Sequence, residues 1–566
     1  MIHVIARSEE TWNKFFSYHY ALRSELVPEI HKRSITDLLN TIIKNCQDDS
    51  VCIVHDDVYL CSDFDKKINS LTKILNTEWP NWGIAGNTGV TPIKVGYAGT
   101  EIIRYMATPF GGPNFAGKIF PATSIDGNVM LLNIKALRDK SVTLPIHDKF
   151  QVCDIVLGIE TLKADLGIFV APQLACFNGN KNKQQEFSEA SESKTLKTYI
   201  SSTIKNRIFV TPSGTLTLPI NTKETFKDHI IDIELKSLLS CCKNRAKKKV
   251  AIITRTQFSR PKLLDRCLRT ISSFISFAGD STDFKSYIVT DKDYEPEPFD
   301  HKTTLLRTVL KDINDSRFHL VKFAAETIEA DFFWFIDDDD WLFPTEAKKL
   351  SLIINSAPSD AIIFVDCQKF KEKPFNTANT DDVDGFISTK HSYFKADEFI
   401  YSLSGINRTP FCGAIFSRNA LLSINKEIYD TVTYYEDYTS LINSLLKYES
   451  IPLILGNLYV GISLRESGNT MTETDRSKWD KSMGEIVSYL VNGNMSTSLL
   501  SLASYDIQQN TINEFELLEA KRKINNMIES KSWQLTRPLR GIDKLIRGKV
   551  GLQEFISRSL SLLGLK

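Results

Sequence analysis

The chain has 566 residues with 69 Lys plus Arg against 69 Asp plus Glu, too long for one ordinary core and without the excess positive charge that draws a protein to nucleic acid. Hydrophobic residues make up 42% and charged residues 24%, the balance of a globular protein of two or more domains. Its ten cysteines include no C-x-x-C pair and its nine histidines no H-E-x-x-H, so neither a zinc site nor a disulfide framework is expected.

In chain order, Ile2-His3-Val4-Ile5-Ala6 reads as a short strand rather than a signal peptide, and it ends in a polar turn at Arg7. No uncharged apolar run reaches about 18 residues, so no transmembrane helix is expected. A helix-patterned stretch leads to a second apolar strand, Val51-Cys52-Ile53-Val54, that ends in His55-Asp56-Asp57. Asp126-Gly127-Asn128 then precedes the apolar Val129-Met130-Leu131, and Asp154 stands at the head of an apparent helix. The lone His147 reads as structural. Residues 186–248 open on a polar run, Glu186 to Lys194, pass through a hairpin pattern at Arg207 to Leu216 and end in the basic Lys243 to Lys249. They are expected to be a connector that spaces two domains.

The same series then returns. Val250-Ala251-Ile252-Ile253 ends in Thr254-Arg255-Thr256, and the next strand closes at Asp291. The apolar run Phe332-Phe333-Trp334-Phe335-Ile336 stops abruptly in Asp337-Asp338-Asp339-Asp340. Four adjacent carboxylates repel one another and are not buried without a cation, so a metal held at a strand end is expected. The plain alternative is a solvated acidic turn. An EF-hand is excluded, because Leu342 and Lys348 stand where Gly and Glu are required. Gly413 precedes another apolar strand, and Glu436-Asp437 heads another helix. From Asp57 to Asp154 is 97 positions and from Asp339 to Asp437 is 98, which suggests one fold used twice. The first copy is the shorter, with 50 positions from Arg7 to Asp57 against 84 from Arg255 to Asp339. Beyond Asn469 the pattern turns helical. Ile542, Leu545, Ile546, Leu552, Phe555 and Ile556 accompany Lys544, Arg547, Lys549 and Arg558, the make-up of an interfacial helix or of one capping the second domain's core.

The ordered set Asp337-x-Asp339, Arg408 to Gly413 and Glu436-Asp437 resembles the inverting glycosyltransferases of GT-A fold. That resemblance implies an α/β protein with two GT-A (Rossmann-like) domains in tandem and a helical C-terminal tail. The expected divisions are a first, abbreviated domain at 1–185, a connector at 186–248, a second domain at 249–500 and an amphipathic segment at 501–566. In the second domain it implies a divalent metal, Mn2+ or Mg2+, held by Asp337 and Asp339 against the diphosphate of a nucleotide-sugar. Thr254, Arg255, Asp291 and Asp338 would hold the nucleotide, Asp437 would be the general base, and Gly413 and Glu436 would face the acceptor. Relatives carry a metal-closing His near Arg465 to Asn469; here none is present and Glu466 is the substitute.

In the first domain, His55-x-Asp57-Val58 resembles the family's His-x-Asp-Val variant. It implies His55 and Asp57 at the metal, Arg7 at the nucleotide, Asp154 as base although it follows Cys153 rather than Glu, and Asp126 and Gly127 on the acceptor side. The tail Ser532 to Arg540 resembles a C-terminal segment of bacterial surface-polysaccharide glycosyltransferases. Together these imply a bifunctional enzyme, cytoplasmic and peripheral at the inner face of the membrane. It would transfer sugars from UDP- or dTDP-sugar donors to a polyprenyl-diphosphate-linked O-antigen or capsule glycan, with a membrane surface or a homo-oligomer as partner of the tail. The rivals are one active domain beside a glycan-binding one, and a non-catalytic glycan-binding scaffold; fold alone does not choose.

Overall fold

The structure, a computed structural model, describes residues 1–30, 34–97, 99–107, 117–145, 153–178, 193–205, 208–218, 231–293, 303–309, 317–374, 386–404, 407–432, 434–464 and 481–486. His147, Glu466 and the tail at 501–566 lie outside them. The chain divides into two compact units, one of Met1–Lys94 with Thr100–Ala246 and one of Val95–Gly99 with Lys247–Lys566. All ten cysteines are free thiols.

The first unit is built on a mixed sheet of β1 (Ile2–Ala6), β2 (Leu26–Ile30), β3 (Ser50–His55), β4 (Trp82–Gly86), β5 (Phe120–Pro121), β6 (Val129–Asn133) and β7 (Gly167–Val170), in the order β2-β1-β3-β6-β4-β7-β5. β1 runs parallel to β2 and β3, β6 lies antiparallel to β3 and β4, and β7 runs parallel to β4. Strands so placed are covered on both faces, which is why β7 reads as an unbroken apolar run and β1 as an apolar run broken only by His3, both buried throughout. Helix α1 (Glu9–Tyr18) follows β1 and is started by a capping box, with Ser8 and Thr11 bonding each other's backbone N–H. Helix α2 (Cys153–Lys163) precedes β7.

The stretch expected as a spacer contributes to this unit instead of standing apart. Its hairpin forms at Ile208–Thr211 and Gly214–Thr217. Its helix α3 (Ile233–Cys242) buries Ser237, Leu238 and Cys241. Ser237 Oγ donates to Ala122 O at 2.7 Å, Asn81 Nδ2 donates to Ser240 O at 3.1 Å, and the Arg245 guanidinium lies 3.6 Å over the Trp79 ring. Of the polar run that suggested a spacer, residues 186–192 lie outside the described residues.

The second unit repeats the plan. Its strands β8 (Lys249–Arg255), β9 (Asp283–Thr290), β10 (Thr303–Arg307), β11 (Phe332–Asp337), β12 (Ala361–Pro374), β13 (Ala414–Ser417) and β14 (Ile451–Leu464) lie in the order β10-β9-β8-β11-β13-β12-β14. β8, β9, β10 and β11 are parallel, β13 is antiparallel to β11 and β12, and β14 is parallel to β12. Strand for strand this is the order and sense of β2-β1-β3-β6-β4-β7, with β10 as an extra edge. Ligands in such sheets sit beyond the carboxyl ends of the parallel strands, which here are Arg255, Thr290 and Asp337, with Arg255 and Asp337 in register.

β11 is hydrophobic throughout because it is buried between β8 and β13, with Trp334 Nε1 donating to Cys412 O at 2.7 Å. Helix α4 (Pro261–Ala278) starts on Pro261 and stops before Gly279, whose φ of 70° few other residues adopt. Past the acids, Trp341–Leu342 pairs antiparallel with β14, and a Cβ at Gly461 would overlap the Trp341 indole. Gly461→Ala is therefore expected to cost about 1–3 kcal/mol by overpacking, read as a lower denaturation midpoint. Among the described residues no helix is long and apolar enough to cross a membrane.

Candidate active site

The four aspartates at the end of β11 are tolerated because the protein itself supplies positive charge. Arg255, at the end of β8, donates from Nη2 to Asp337 Oδ1 at 2.8 Å and from Nη1 to Glu436 Oε1 at 3.0 Å. Arg260 forks across the next two acids, at 2.5 Å to Asp338 Oδ1 and 2.7 Å to Asp339 Oδ2. Thr256 Oγ1 donates to Asp338 Oδ2 at 2.6 Å, and Ser463 N donates to Asp340 Oδ1 at 3.0 Å. Arg266 donates to the Asp339 carbonyl at 2.6 Å and pairs with Glu372 at 2.8 Å.

These partners set the charge states. Burial raises the pKa of Asp337, but the Arg255 charge and hydrogen bond outweigh it and hold the carboxyl below its ordinary range. Asp338 is pushed up to about 6, mainly by burial, with Arg260 opposing. Burial also carries Asp340 well above the usual carboxylate range, so it adds little to the negative charge. The expected metal ligands do not form a metal site as they stand. Asp337 and Asp339 are each paired with an arginine, and among the described residues no group of three His, Cys, Asp or Glu side chains converges.

Helix α5 (Glu436–Ile442) carries the other carboxylates. Its first flank, Tyr435, has φ 65° and ψ 35°, a left-handed conformation that costs a non-glycine residue energy and is found where the surroundings demand it. Beyond that turn Glu436 faces inward to Arg255, with the Arg317 guanidinium 3.8 Å away, so it is a buried counter-ion and not an acceptor contact. Asp437 is partly buried. Its Oδ1 accepts from Tyr438 N at 2.7 Å and its Oδ2 from Asn407 Nδ2 at 3.0 Å. Its pKa is pushed up to about 6 by burial first and by the Glu436 charge second.

The remaining expected residues fall in different places. Asp291, at the end of β9, keeps Oδ1 buried without a hydrogen-bond partner while Lys292 lies 3.6 Å from Oδ2. An orphaned buried acceptor awaits a donor. Thr254 is fully buried against α4, with Oγ1 3.8 Å from Cys267 Sγ. Strand alternation turns it away from the acids and turns Arg255 toward them. Gly413 is enclosed, since a Cβ there would stand 3.1 Å from Pro410 and 3.2 Å from Phe394, so it shapes the turn before β13. Arg260, Arg266, Arg317, Glu372 and Asn407 were missed. The only local signal was the Arg260-Pro261 start of α4.

In the first unit, Arg7 N donates to Asp56 Oδ2 at 2.8 Å and Arg7 Nε to Asp56 Oδ1 at 3.0 Å, an arginine-acid lock like Arg255 on Asp337. Asp56, not His55 or Asp57, receives it. His55 N bonds Asn128 O at 3.1 Å at the end of β3. Asp126 Oδ1 accepts from Asn128 N at 3.1 Å, which tightens the turn at Gly127. Asp154 Oδ1 accepts from Ile155 N at 2.8 Å and Oδ2 from Gly127 N at 3.0 Å. Asp437 is held similarly, by the next residue's backbone N–H and by the loop preceding the antiparallel strand, there through the Asn407 side chain rather than a backbone N–H.

No family model matches the chain, and no curated protein matches it. Solved structures of S. aureus TarS resemble it loosely. TarS 1-349 is 14% identical with a TM-score of 0.32 over 50% of this chain and 80% of that one. Its complex with UDP gives 14%, 0.28, 54% and 76%, and its complex with UDP-GlcNAc gives 15%, 0.30, 50% and 82%. Folds that superpose so poorly lend no support to a function, and the reading below stands on the geometry of the two units.

Proposed function

We propose that the second unit transfers a sugar from a nucleotide-sugar to a hydroxyl of a glycan, with inversion at the sugar carbon. The observation that carries this reading is the Arg255 bridge, which brings the strand-end acid Asp337 and the helix-head pair Glu436-Asp437 into one site at the mouth of a parallel sheet. Asp437 takes the proton of the acceptor hydroxyl as that oxygen bonds to the sugar carbon; the bond from carbon to phosphate oxygen breaks and its electron pair leaves with the nucleoside diphosphate. Arg260 and Arg317, each with about a quarter of its side chain exposed at 26%, are the guanidiniums that the departing diphosphate can reach. Asp291 Oδ1 offers an acceptor for a base N–H.

A base must be ionised to act, and the Asp437 carboxyl is raised to about 6. The transfer rate is therefore expected to be flat above neutrality and to fall about tenfold by pH 5 as Asp437 protonates. Nucleoside diphosphate release measured from pH 4.5 to 8.5, with UDP- and dTDP-sugars and a glycan acceptor, tests this. A profile without an inflection near 6 removes Asp437 from the role, and no release from any donor supports the glycan-binding scaffold.

A second active centre in the first unit is favoured by one observation, that Asp154 is held from the same two places as Asp437, the next residue's N–H and the loop before the antiparallel strand. If both units act, Asp154→Asn and Asp437→Asn each abolish a different linkage; if one acts, only the second has an effect. We propose further, from the sequence resemblance, that the acceptor is a polyprenyl-diphosphate-linked surface glycan met at the cytoplasmic face of a membrane. Release of a lipid-linked product tests that part.

A further inference from the structure

In the first unit a cavity opens beside the acids at the end of β3. In both units, a short strand follows the acids, and a backbone N–H at its end or just past it is held by the helix after the first strand or by the residue capping that helix. Leu342 N donates to Thr270 Oγ1 at 3.1 Å, and Leu60 N donates to His19 Nε2 at 2.9 Å. In the second unit the aromatic residue before it, Trp341, is capped by the Arg266 guanidinium at 4.5 Å, itself anchored on the buried Glu372. In the first unit the corresponding Tyr59 is uncapped. A cavity of about 230 Å³ opens between α1 and Val58–Tyr59, lined by Arg7, Lys14, Tyr18, Asp56, Asp57 and Tyr59 among others.

The lining is built for a ligand with one apolar face and several hydroxyls. Tyr18 and Tyr59 meet edge to face at 5.6 Å, and Tyr59 continues to Phe177 at 5.8 Å. All three rings are exposed, at 60%, 39% and 40%, which makes a contiguous aromatic patch that a globular protein does not leave open without a use. The floor is rigid. Leu60 N–H can only donate to His19 Nε2, so the ring proton sits on Nδ1 and goes to Phe15 O at 2.7 Å. Beside the rings, Asp57 Oδ1 is buried without a hydrogen-bond partner, an acceptor that a hydroxyl would satisfy. Pockets for larger ligands run about 300–1,000 Å³; this one has room for a single sugar ring.

We propose that this cavity binds a hexopyranose of the glycan, with the C–H face of the sugar on Tyr18 and Tyr59 and its hydroxyls on Asp57 and Lys14. The site then holds acceptor rather than donor. The inference rests on reading the chain as a glycan-handling enzyme, but its test does not, because donor consumption and sugar binding are measured separately.

Hydrogen exchange of the full chain, followed by mass spectrometry, is compared with and without saturating methyl glycosides of glucose, galactose, mannose, rhamnose and N-acetylglucosamine. At least one is expected to slow exchange across residues 9–19 and 58–60, and Tyr18→Ala, at an exposed position, is expected to abolish that protection with an unchanged melting temperature. Three results overturn the proposal: no glycoside protects these segments, protection survives Tyr18→Ala, or UDP at the same concentration protects them equally. If donor consumption fails in the second unit while protection is seen, the transfer reading falls and the sugar site stands.

Discussion

Asp437→Asn is expected to lower kcat by about 10²–10⁴-fold, the usual worth of a positioned general base, with little change in KM for the donor. The amide keeps the size of the carboxylate and can still accept from Tyr438 N through its oxygen, so the fold is expected to persist with an unchanged melting temperature. It loses the proton-accepting group, and its NH2 donates to Asn407 once that amide turns its unpartnered oxygen inward. The pH inflection near 6 is expected to vanish from the residual activity, which a merely structural role for Asp437 would not produce. Steady-state kinetics on the variant with the best donor, beside the wild type, measure both effects.

Arg255→Met is expected to cost stability more than any other single change at the site. The Arg255 side chain is 6% exposed and that of Glu436 8%, whereas Asp337 is 50% exposed. Removing the guanidinium leaves the Glu436 charge buried with only Arg317 nearby, a situation that costs about 3–5 kcal/mol. The share from Asp337 is small because water screens it. Adding Glu436→Gln removes the stranded charge, so the double variant is expected to recover part of the loss and the pair to be non-additive. Urea denaturation of the two single variants and the double variant gives the coupling. A single variant as stable as wild type would mean that Glu436 finds its counter-charge elsewhere.

Much of the plan was legible along the chain because it is set by neighbours. A strand buried on both faces must be apolar throughout, so Phe332 to Ile336 announced its place, and acids at a helix start favour the positive end of its dipole, so Asp437 and Asp154 were visible as helix heads. The recurrence of these signals at nearly equal spacing anticipated two units of like strand order. The counter-charges were not legible. Arg255 meets Glu436 181 positions away and Arg266 meets Glu372 106 away, and nothing local couples such pairs. Strand alternation puts Thr254 in the core and Arg255 on the acids, whereas Thr256 lies just past the end of β8, where the turn rather than the strand period brings its hydroxyl onto Asp338.

The sequence by itself determined where strands end, where helices begin and that carboxylates crowd the end of β11, since those follow from burial, capping and repulsion within a few residues. Only the tertiary structure decided what neutralises those carboxylates. A buried charge takes whichever opposite charge the fold brings within about 3 Å, and here arginines from neighbouring elements pair with Asp337, Asp338 and Asp339.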